Sequence, residues 1–333
     1  MRLPSFQYLS PGTVKEALET IAAHKGKVLI VAGGTDIVNR LRQRLVSAPY
    51  VMSLKAISEL KGIKKNKGEL VISAGTTLRE VAASPEVSGL FPALSQSASC
   101  TAAPPIRNMA TIGGNLLQDT RCLFYNQSEL FRKAAPACLK QGGRVCAAVK
   151  GATRCLSVYQ GDLAPALIAC NAKAVLKKAG SSRTVQVADI FSNKGKRPLA
   201  VEEDELLTRI VIPIPSGPYS CAYEKLRLRK GLDYPFASAA AFLSLSAKGV
   251  IDRARVVLGA CGPAPVLVED AAAFLVGRKP GDADGLSAAR CALKVCRVVE
   301  NVALPASYRK KMAVVMAGRA IGEALGQLSG AGA

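Results

Sequence analysis

The fold is first indicated by the segment LIVAGGTD, residues 29–36, in which a hydrophobic strand runs into a glycine pair. After Gly33 and Gly34, Thr35 and Asp36 occupy the position where a helix would begin. Glycines let the backbone approach a ligand closely, and the free N–H groups at a helix start favour an anion such as a pyrophosphate. A tight strand-to-helix turn capped by Thr35 or Asp36 explains the same residues, so this turn alone leaves both interpretations open.

A second Gly-Gly turn, TIGGN at residues 111–115, follows farther along the chain. The common nucleotide motifs are absent, since no G-x-G-x-x-G follows a strand and no G-x-x-x-x-G-K-[ST] occurs. A dinucleotide bound at these two turns would therefore need another architecture.

The segments around these turns alternate between helical and extended patterns. Residues 1–55 fit two helix–strand units. The segment 205–218 ends in alternating prolines, which is typical of extended chain and of a domain boundary. Beyond it, three segments between 219 and 262 alternate like antiparallel strands, and helical spacing then continues towards the C-terminus. The pattern predicts an α+β fold with two or three lobes.

The last predicted helix starts near Pro305, a residue that suits the first helical position. Its spacing places four side chains on one predicted apolar stripe, namely Tyr308, Met312, Val315 and Met316.

Composition limits the classes of function. The chain has 333 residues, enough for a large core and for more than one domain. Its net charge is +21, but the charges are spread along the chain and only 8 Tyr and 8 Phe are available for stacking. No known nucleic-acid-binding motif is visible, so no nucleic-acid partner is expected. An acidic protein partner or an anionic cofactor explains the charge equally well.

No apolar run approaches the ~20 residues that a membrane-spanning helix needs, and no membrane partner is expected. The first residues lack the apolar core of a signal peptide, so a cytoplasmic location is expected. Thiols in the cytoplasm stay reduced, and they are more often metal ligands or buried small side chains than disulfides.

Residues 121–155 combine four cysteines with seven Lys or Arg and no His. Intervals of 15, 7 and 8 residues separate Cys122, Cys138, Cys146 and Cys155. Zinc sites and ferredoxin clusters usually use closely spaced cysteine pairs, so the spacing alone does not separate a metal site from four structural thiols. The neighbouring cations would lower thiol pKa values and raise the reduction potential of an iron–sulfur cluster, which favours a cluster.

Five ordered blocks resemble the FAD-binding subunits of the molybdenum hydroxylase (xanthine oxidase) family. These blocks are LIVAGGTD, IRNMATIGGNL, GDLAPAL, YEKLRLRKGLDYPFASAA and RVVLGACGPAPV, and the similarity extends to about residue 270. The resemblance implies a two-lobed FAD-binding domain of the PCMH/vanillyl-alcohol-oxidase type at residues 1–216, with lobes at about 1–55 and 56–216. It also implies a C-terminal α+β domain of the CO dehydrogenase flavoprotein type at residues 217–333.

The resemblance further implies which residues bind the FAD. The pyrophosphate would be wrapped by two runs of residues: Leu29, Ile30, Val31, Ala32, Gly33, Gly34, Thr35 and Asp36, and Thr111, Ile112, Gly113, Gly114 and Asn115. Asp162 would contact the adenosine side, and Leu207 and Lys225 would lie near the isoalloxazine ring. The alternative interpretation of Lys225 is a solvated charge on a strand. No catalytic residue is expected, because the chain shows no convincing nucleophile, triad or carboxylate pair.

One branch of this family, formed by the β subunits of 4-hydroxybenzoyl-CoA reductases, carries an insertion between the GGN and DL blocks. There, four cysteines bind a [4Fe–4S] cluster. This chain is similar, with an insertion at about residues 119–157 and Cys122, Cys138, Cys146 and Cys155 as the implied metal ligands.

The resemblance to this branch implies a function in anaerobic aromatic degradation. The enzyme would reductively remove the phenolic hydroxyl of 4-hydroxybenzoyl-CoA to give benzoyl-CoA. Electrons would pass from ferredoxin to the [4Fe–4S] cluster, then to FAD, then to a [2Fe–2S] partner subunit and to molybdenum in a large subunit. The basic insertion suits docking of an acidic ferredoxin, with Lys133, Lys140 and Arg144 as the contact residues.

Two alternatives remain. One is the FAD subunit of an oxidising molybdenum hydroxylase acting on xanthine, CO or another aromatic substrate, in which the cluster is absent or vestigial. The other is a basic zinc- or nucleic-acid-binding protein, which would contain no flavin.

Overall fold

Three β-sheets flanked by helices make up the chain, which a computed structural model describes over residues 2–229 and 231–330. The outer ends of the two predicted domains, residues 1 and 331–333, lie outside the described residues. The strands are β1 Gln7–Leu9, β2 Val28–Val31, β3 Tyr50–Ser53, β4 Ile63–Asn66, β5 Glu69–Ser73, β6 Lys173–Lys178, β7 Ser181–Gln186, β8 Leu206–Pro213, β9 Tyr219–Leu226, β10 Ala237–Leu245, β11 Ile251–Gly259 and β12 Val266–Leu267. The helices are α1 Val14–Ala23, α2 Ile37–Arg42, α3 Leu78–Ala83, α4 Pro85–Leu90, α5 Pro92–Ser99, α6 Pro104–Arg107, α7 Ile112–Leu116, α8 Glu129–Ala134, α9 Leu163–Ala169, α10 Glu269–Leu275, α11 Gly285–Arg290, α12 Ala292–Val295 and α13 Ala306–Gly330.

The first sheet is parallel, with strand order β1-β3-β2, and it carries the two predicted helix–strand units. Helix α1 begins at Thr13, whose side chain accepts a hydrogen bond from the backbone N–H of Glu16. Its buried side chains recur at helical spacing, as Val14, Ala17, Leu18 and Ile21. They pack into a small hydrophobic cluster with Met52 of β3 and residues that follow it, and β2 packs against this cluster.

The second sheet is antiparallel and has the order β4-β5-β8-β6-β7. Strands β5 and β8 pair so that Leu70 and Ile72 face Ile212 and Ile210 in the core. The chain then leaves β5 towards α3, which starts with a capping box formed by Thr77 and Glu80. Helices α3, α4, α5, α7 and α9 bury their apolar faces in the same cluster.

The third sheet is antiparallel, with the order β12-β11-β10-β9. Strand β10 is buried on both faces. Ala240 and Phe242 belong to the cluster that includes α5 and α9, whereas Ala239 and Ala241 belong to the cluster that includes α13. Small alanine side chains let helices approach the sheet from both sides. The predicted α+β fold class, with antiparallel strands and helices in the C-terminal part, is confirmed.

The cysteine-rich segment leaves the core after α7 and returns before α9. An antiparallel bridge between Arg121 and Val158 closes its base. Most of the segment has no regular structure, and α8 is its one α-helix in the described chain. The predicted domain limit at residue 216 stays a prediction, and one hydrophobic cluster contains residues from both sides of it. None of the helices described by the structure is long and apolar enough to cross a membrane.

Candidate functional site

A cavity of about 640 Å³ opens where β2, α7 and the loop after β9 meet. This volume lies in the range of small-molecule and cofactor sites. Thirteen of the predicted FAD-binding residues line it: Leu29, Ile30, Ala32, Gly33, Gly34, Thr35, Asp36, Thr111, Gly113, Gly114, Asn115, Asp162 and Leu207. The structure therefore brings both glycine turns to one cavity, although they lie about 80 residues apart in the chain.

Close backbone packing explains the glycines of these turns. A Cβ atom added at Gly33 would lie 1.9 Å from the carbonyl oxygen of Met109. A Cβ at Gly113 would lie 2.8 Å from the carbonyl oxygen of Ala74. A side chain at either position would push the glycine turn away from the backbone that packs on it and would distort the cavity wall.

Three of the predicted FAD-binding residues do not line the cavity. Ile112 is fully buried in the main hydrophobic cluster, and Val31 lies in β2 with its side chain near Gly34. Lys225, on β9, directs its ammonium group at Asp162 instead. Its predicted position beside an isoalloxazine ring stays a prediction.

Asp162 and Lys225 form a buried ion pair with a Nζ–Oδ2 distance of 2.9 Å and side chains that are 4% and 2% exposed. The Tyr223 hydroxyl donates to the other carboxylate oxygen at 2.8 Å. Burial raises the pKa of Asp162, while Lys225 and then the hydrogen bonds oppose that rise. Lys225 also donates to the carbonyl oxygens of Cys100 and Asp233, so the interpretation of Lys225 as a solvated charge is wrong.

The rim of the cavity carries the predicted residue Asp36 and a cation, Arg121, that was not predicted to line it. Asp36 does not cap α2 with its side chain, and its carboxylate accepts from Arg121 at 2.5 Å instead. The Arg121 guanidinium lies over the Tyr234 ring, 4.9 Å from its centroid. Arg121 directly precedes the first cysteine of the insertion, and this position is the only signal that could have revealed it.

A second ion pair on the rim joins Arg40 to Asp119, with 2.7 Å between Arg40 Nη2 and Asp119 Oδ2. Arg40 lies one helical turn after Asp36 on α2, so both side chains can face the same cavity. This spacing was the signal that sequence reasoning could have used. Asp119 lies beyond the end of α7, so its distance from Asn115 did not indicate that it would reach the cavity.

The four cysteines of the insertion converge on one small cavity of about 10 Å³. It is lined by Cys122, Cys138, Cys146 and Cys155 together with Phe124, Tyr125, Lys140 and Ser157, among others. Burial raises the pKa of Cys122 to about 11. The Cys155 thiol lies 3.2 Å from the Ser157 hydroxyl, and all ten cysteines of the chain are free.

The four thiols have the chemistry that an iron–sulfur cluster needs, but the cavity between them is too small for a cluster. Four thiols and a nearby hydroxyl form a sulfur-rich donor set without a carboxylate, and the Lys140 ammonium places a positive charge beside it. Within residues 2–229 and 231–330, however, no group of three or more His, Cys, Asp or Glu side chains is arranged to hold a metal ion. A space of about 10 Å³ holds one water molecule at most, so the cysteines would have to move apart to bind a cluster.

The basic residues of the insertion divide into exposed and buried positions. Lys133 and Arg144 are exposed, as a docking surface requires. Lys140 is buried, with 4% of its side chain exposed, and its ammonium contacts Asp119 Oδ1 at 2.6 Å. The prediction that Lys140 contacts a docked ferredoxin is therefore wrong, because Asp119 draws this side chain into the protein.

Two family models match the chain. The FAD binding domain in molybdopterin dehydrogenase matches residues 4–215, and the CO dehydrogenase flavoprotein C-terminal domain matches residues 221–324.

Relatives with assigned names agree with these matches. The carbon monoxide dehydrogenase medium chain of Hydrogenophaga pseudoflava is 26% identical over 96% of this chain and 97% of its own length. The nicotinate dehydrogenase FAD-subunit of Eubacterium barkeri is 26% identical over 83% of this chain and 81% of its own length. In a solved structure of the H. pseudoflava carbon monoxide dehydrogenase, one chain superposes with a TM-score of 0.80 at 25% identity, covering 98% of this chain and 99% of that chain.

Proposed function

This chain belongs to the family of FAD-binding domains in molybdopterin dehydrogenases, and we propose that it is the electron-transfer flavoprotein subunit of a molybdenum hydroxylase. The observation that supports this most directly is the convergence of both glycine turns on one ligand-sized cavity. We further propose that it assembles with a large subunit carrying the molybdenum cofactor and a small [2Fe–2S] subunit.

The residues of the cavity fit FAD. Because the glycine turns pack closely against neighbouring backbone, they bring main-chain N–H groups to the cavity wall, where a pyrophosphate can accept from them. Arg40 and Arg121 supply positive charge on the rim, and the buried Nε of Arg121 has no hydrogen-bond partner among the described residues. Asp162 offers a fixed carboxylate for a ribose or adenine donor. When bound, FAD supplies conversion between two-electron and one-electron transfer.

We infer from the sequence which subunit of the complex binds the substrate. It shows no convincing nucleophile, triad or carboxylate pair, so we assign the substrate site to the partner subunit that carries molybdenum. Relatives of similar length are named for CO, nicotinate and caffeine dehydrogenases. We propose that the substrate of this enzyme is likewise set outside this chain.

A visible spectrum of the purified chain with its flavin content tests the proposal. We expect about one FAD per chain and an absorption band near 450 nm. A colourless protein that takes up no added FAD would contradict the proposal and would favour the basic zinc- or nucleic-acid-binding alternative. Co-expression with the two candidate partner subunits should yield a stable complex, and failure of the flavoprotein to associate with either would contradict the assembly.

The four converging cysteines favour a more specific second candidate. A subunit similar to that of 4-hydroxybenzoyl-CoA reductase would hold a [4Fe–4S] cluster on Cys122, Cys138, Cys146 and Cys155, next to the FAD cavity. Such a cluster supplies one-electron transfer at low potential when bound. In the competing case, an oxidising hydroxylase, these cysteines remain thiols. That case needs no rearrangement of the small cysteine cavity.

Iron and acid-labile sulfide analysis of anaerobically purified protein separates these two cases. The cluster predicts about four iron atoms per chain, and Cys146→Ser should lower iron and sulfide far more than it lowers FAD. Cys291→Ser is the matched control, because this cysteine joins α11 to α12 and does not line the cysteine cavity. An iron-free protein with normal FAD after reconstitution with iron and sulfide would exclude the cluster and leave the oxidising hydroxylase.

If the cluster is present, an acidic ferredoxin is the electron donor that the exposed cations of the insertion suit. Lys133→Glu and Arg144→Glu should slow ferredoxin-driven reduction and weaken its salt dependence, since both side chains are exposed. Lys64→Glu, at an exposed position on β4 outside the insertion, serves as the control. Equal rates and equal salt dependence in all variants would count against this donor.

A further inference from the structure

A continuous chain of polar contacts joins the FAD cavity to the cysteine cavity. Arg40 and Asp119 line the first cavity, and Lys140 lines the second. The Asp119 carboxylate binds both cations, with Oδ2 at 2.7 Å from Arg40 Nη2 and Oδ1 at 2.6 Å from Lys140 Nζ. One carboxylate is therefore shared between the two cavities.

The contacts continue from Lys140 to a cysteine. Its ammonium donates to the Thr120 hydroxyl at 2.8 Å, and that hydroxyl lies 2.6 Å from the Ser157 hydroxyl. Ser157 in turn lies 3.2 Å from the Cys155 thiol. The carbonyl oxygen of Gly195 lies 3.0 Å from both hydroxyls and fixes their positions. Each group from Asp119 to Cys155 therefore contacts the next one, and a shift of one group disturbs its neighbours.

Because these groups are buried, a change at one cation partner of Asp119 affects the other. The Lys140 side chain is 4% exposed and that of Asp119 is 19% exposed, so water cannot substitute freely for a lost partner. An anionic ligand in the FAD cavity competes with Asp119 for Arg40. Asp119 Oδ1 still accepts from the Thr120 backbone N–H, but Lys140 is then its one ion-pair partner among the described residues, which strengthens the contact that holds Lys140 against Thr120 at the cysteine cavity.

We propose that Asp119 and Lys140 are positioning residues that couple FAD occupancy of the first cavity to closure of the cysteine cavity. The inference rests on the proposed function in that FAD is taken to fill the first cavity. Binding couplings are reciprocal, so ordering the four cysteines also strengthens FAD binding. The two sites then assemble together rather than independently.

Thiol accessibility with and without FAD tests the coupling. The full chain is depleted of FAD with a chaotropic salt, reloaded with FAD, and treated with iodoacetamide in both states under anaerobic, metal-free conditions. Peptide mass spectrometry follows the four insertion cysteines, with Cys291 as internal reference. We expect FAD to slow alkylation of the insertion cysteines by at least about fivefold, the lower range of measured couplings, and to leave Cys291 unchanged.

Variants separate coupling from simple stabilisation. In Lys140→Met, the ratio of the alkylation rates without and with FAD should fall close to one. Lys140→Arg should keep most of the wild-type ratio, and the exposed Lys133→Met should keep all of it. A purely structural role would raise both rates equally and leave the ratio intact, and this outcome overturns the inference. Asp119→Asn provides a second test that keeps side-chain volume, and it should also bring the ratio close to one.

The two proposals fail in different ways. A wild-type chain that cannot be reloaded with FAD overturns the proposed function and the coupling with it. A chain that binds FAD normally, but whose insertion cysteines react at the same rate in both states, overturns the coupling alone.

Discussion

At the scale of single residues, Gly33 shows how the backbone itself forms a ligand site. The glycine is required because the loop from α6 to α7 packs directly onto it, and the carbonyl of Met109 occupies the space of a side chain. The glycine pair could be recognised in the sequence, since a strand that ends in Gly-Gly indicates close backbone approach. The neighbour that imposes this requirement is far away in the chain and could not be recognised.

The variant Gly33→Ala should weaken FAD binding, because its Cβ would lie 1.9 Å from the Met109 carbonyl oxygen and would displace the loop. Overpacking of this kind costs about 1–3 kcal/mol, which corresponds to a rise in Kd of roughly 5- to 150-fold. Flavin fluorescence titration measures it. Gly89→Ala, at a helix position where an added Cβ meets no atom within 4 Å, should leave the Kd unchanged. Equal Kd values for both variants would contradict this account.

The buried pair of Asp162 and Lys225 gives a second prediction at this scale. Lys225→Met leaves the Asp162 carboxylate buried without its cation, which should lower the free energy of unfolding at neutral pH by about 3–5 kcal/mol. The pKa of Asp162, already raised by burial, should rise further. Chemical denaturation of Lys225→Met and wild type measures the difference.

The sign of the pH dependence follows from linkage. A carboxyl group whose pKa is higher in the folded than in the unfolded state binds protons more strongly when folded. Its destabilising effect is complete above the folded pKa and disappears as pH falls towards the unfolded value of about 3.9. The deficit of Lys225→Met should therefore shrink on acidification, and the double variant with Asp162→Asn should lose less stability at neutral pH. A deficit independent of pH would rule out the unpaired carboxylate as its cause.

At the scale of elements, hydrophobic residues repeating every two positions indicated strands, and those repeating every 3.6 positions indicated helices. These repeats predicted most elements in which local preference and burial agree. Helix α1 buries Val14, Ala17, Leu18 and Ile21 as its spacing indicates. Strands β9, β10 and β11 pair antiparallel as predicted. The fold class could be predicted because these elements bury complete faces.

The last helix shows where the pattern was misleading. Tyr308 and Val315, predicted on its apolar stripe, are 44% and 37% exposed, whereas Met316 is buried. Half of its buried apolar side chains are alanines, at 313, 317, 320 and 324, and the others are Met316, Ile321, Leu325 and Leu328. Small side chains let α13 lie close to the third sheet, and a prediction based on large apolar residues favours a neighbouring face.

The insertion has little regular structure and is held by side chains, one of which is Arg132 on α8. Its guanidinium donates to the carbonyl oxygens of Gln43 and Arg44 at 3.0 Å, just beyond the end of α2. A cation at a helix C-terminus satisfies carbonyl groups that have no partner within the helix. Arg132 thus ties the insertion to the helix that carries the cavity residue Arg40.

Arg132→Met should therefore loosen the insertion without unfolding the core. Charge-assisted hydrogen bonds of this kind contribute about 1.5–3 kcal/mol, so local opening should become roughly 10- to 150-fold more frequent. Hydrogen exchange of peptides from residues 121–155 measures it. Lys133→Met, on the same helix but 74% exposed at its side chain, is the control and should exchange like wild type. Unchanged exchange in Arg132→Met would show that other contacts hold the insertion.

At the scale of the whole molecule, the contacts that join distant segments are those that the sequence could not reveal. The four cysteines could be selected from composition and resemblance, and the structure does bring them together. The carboxylate that links them to the FAD cavity and the buried Arg309 could not be selected, because each depends on three or more segments meeting in space. A sequence with 45 Lys and Arg residues gives no indication of which few are buried.

Arg309 is fully buried on α13 and has no carboxylate partner among the described residues. Its guanidinium donates to the carbonyl oxygens of Phe236 at 3.0 Å, Ala260 at 2.8 Å and Val299 at 3.2 Å. These carbonyls come from the ends of two strands and from the segment before α13. Asn301, also within reach of Arg309, binds the carbonyl of Leu156 at the base of the insertion. Burial lowers the pKa of Arg309, yet an arginine keeps its charge at physiological pH.

Replacing this residue should therefore affect the molecule as a whole. Arg309→Met leaves several buried carbonyls without a donor, each costing about 1–3 kcal/mol, so we expect a loss of roughly 3 kcal/mol or more in the free energy of unfolding. Arg309→Lys should rescue little, since one ammonium cannot reach carbonyls on three segments at once. The adjacent and exposed Lys310→Met is the control and should stay within about 0.5 kcal/mol of wild type. Urea denaturation followed by circular dichroism measures all three, and full rescue by lysine would show that charge alone, rather than the fork of donors, holds these segments together.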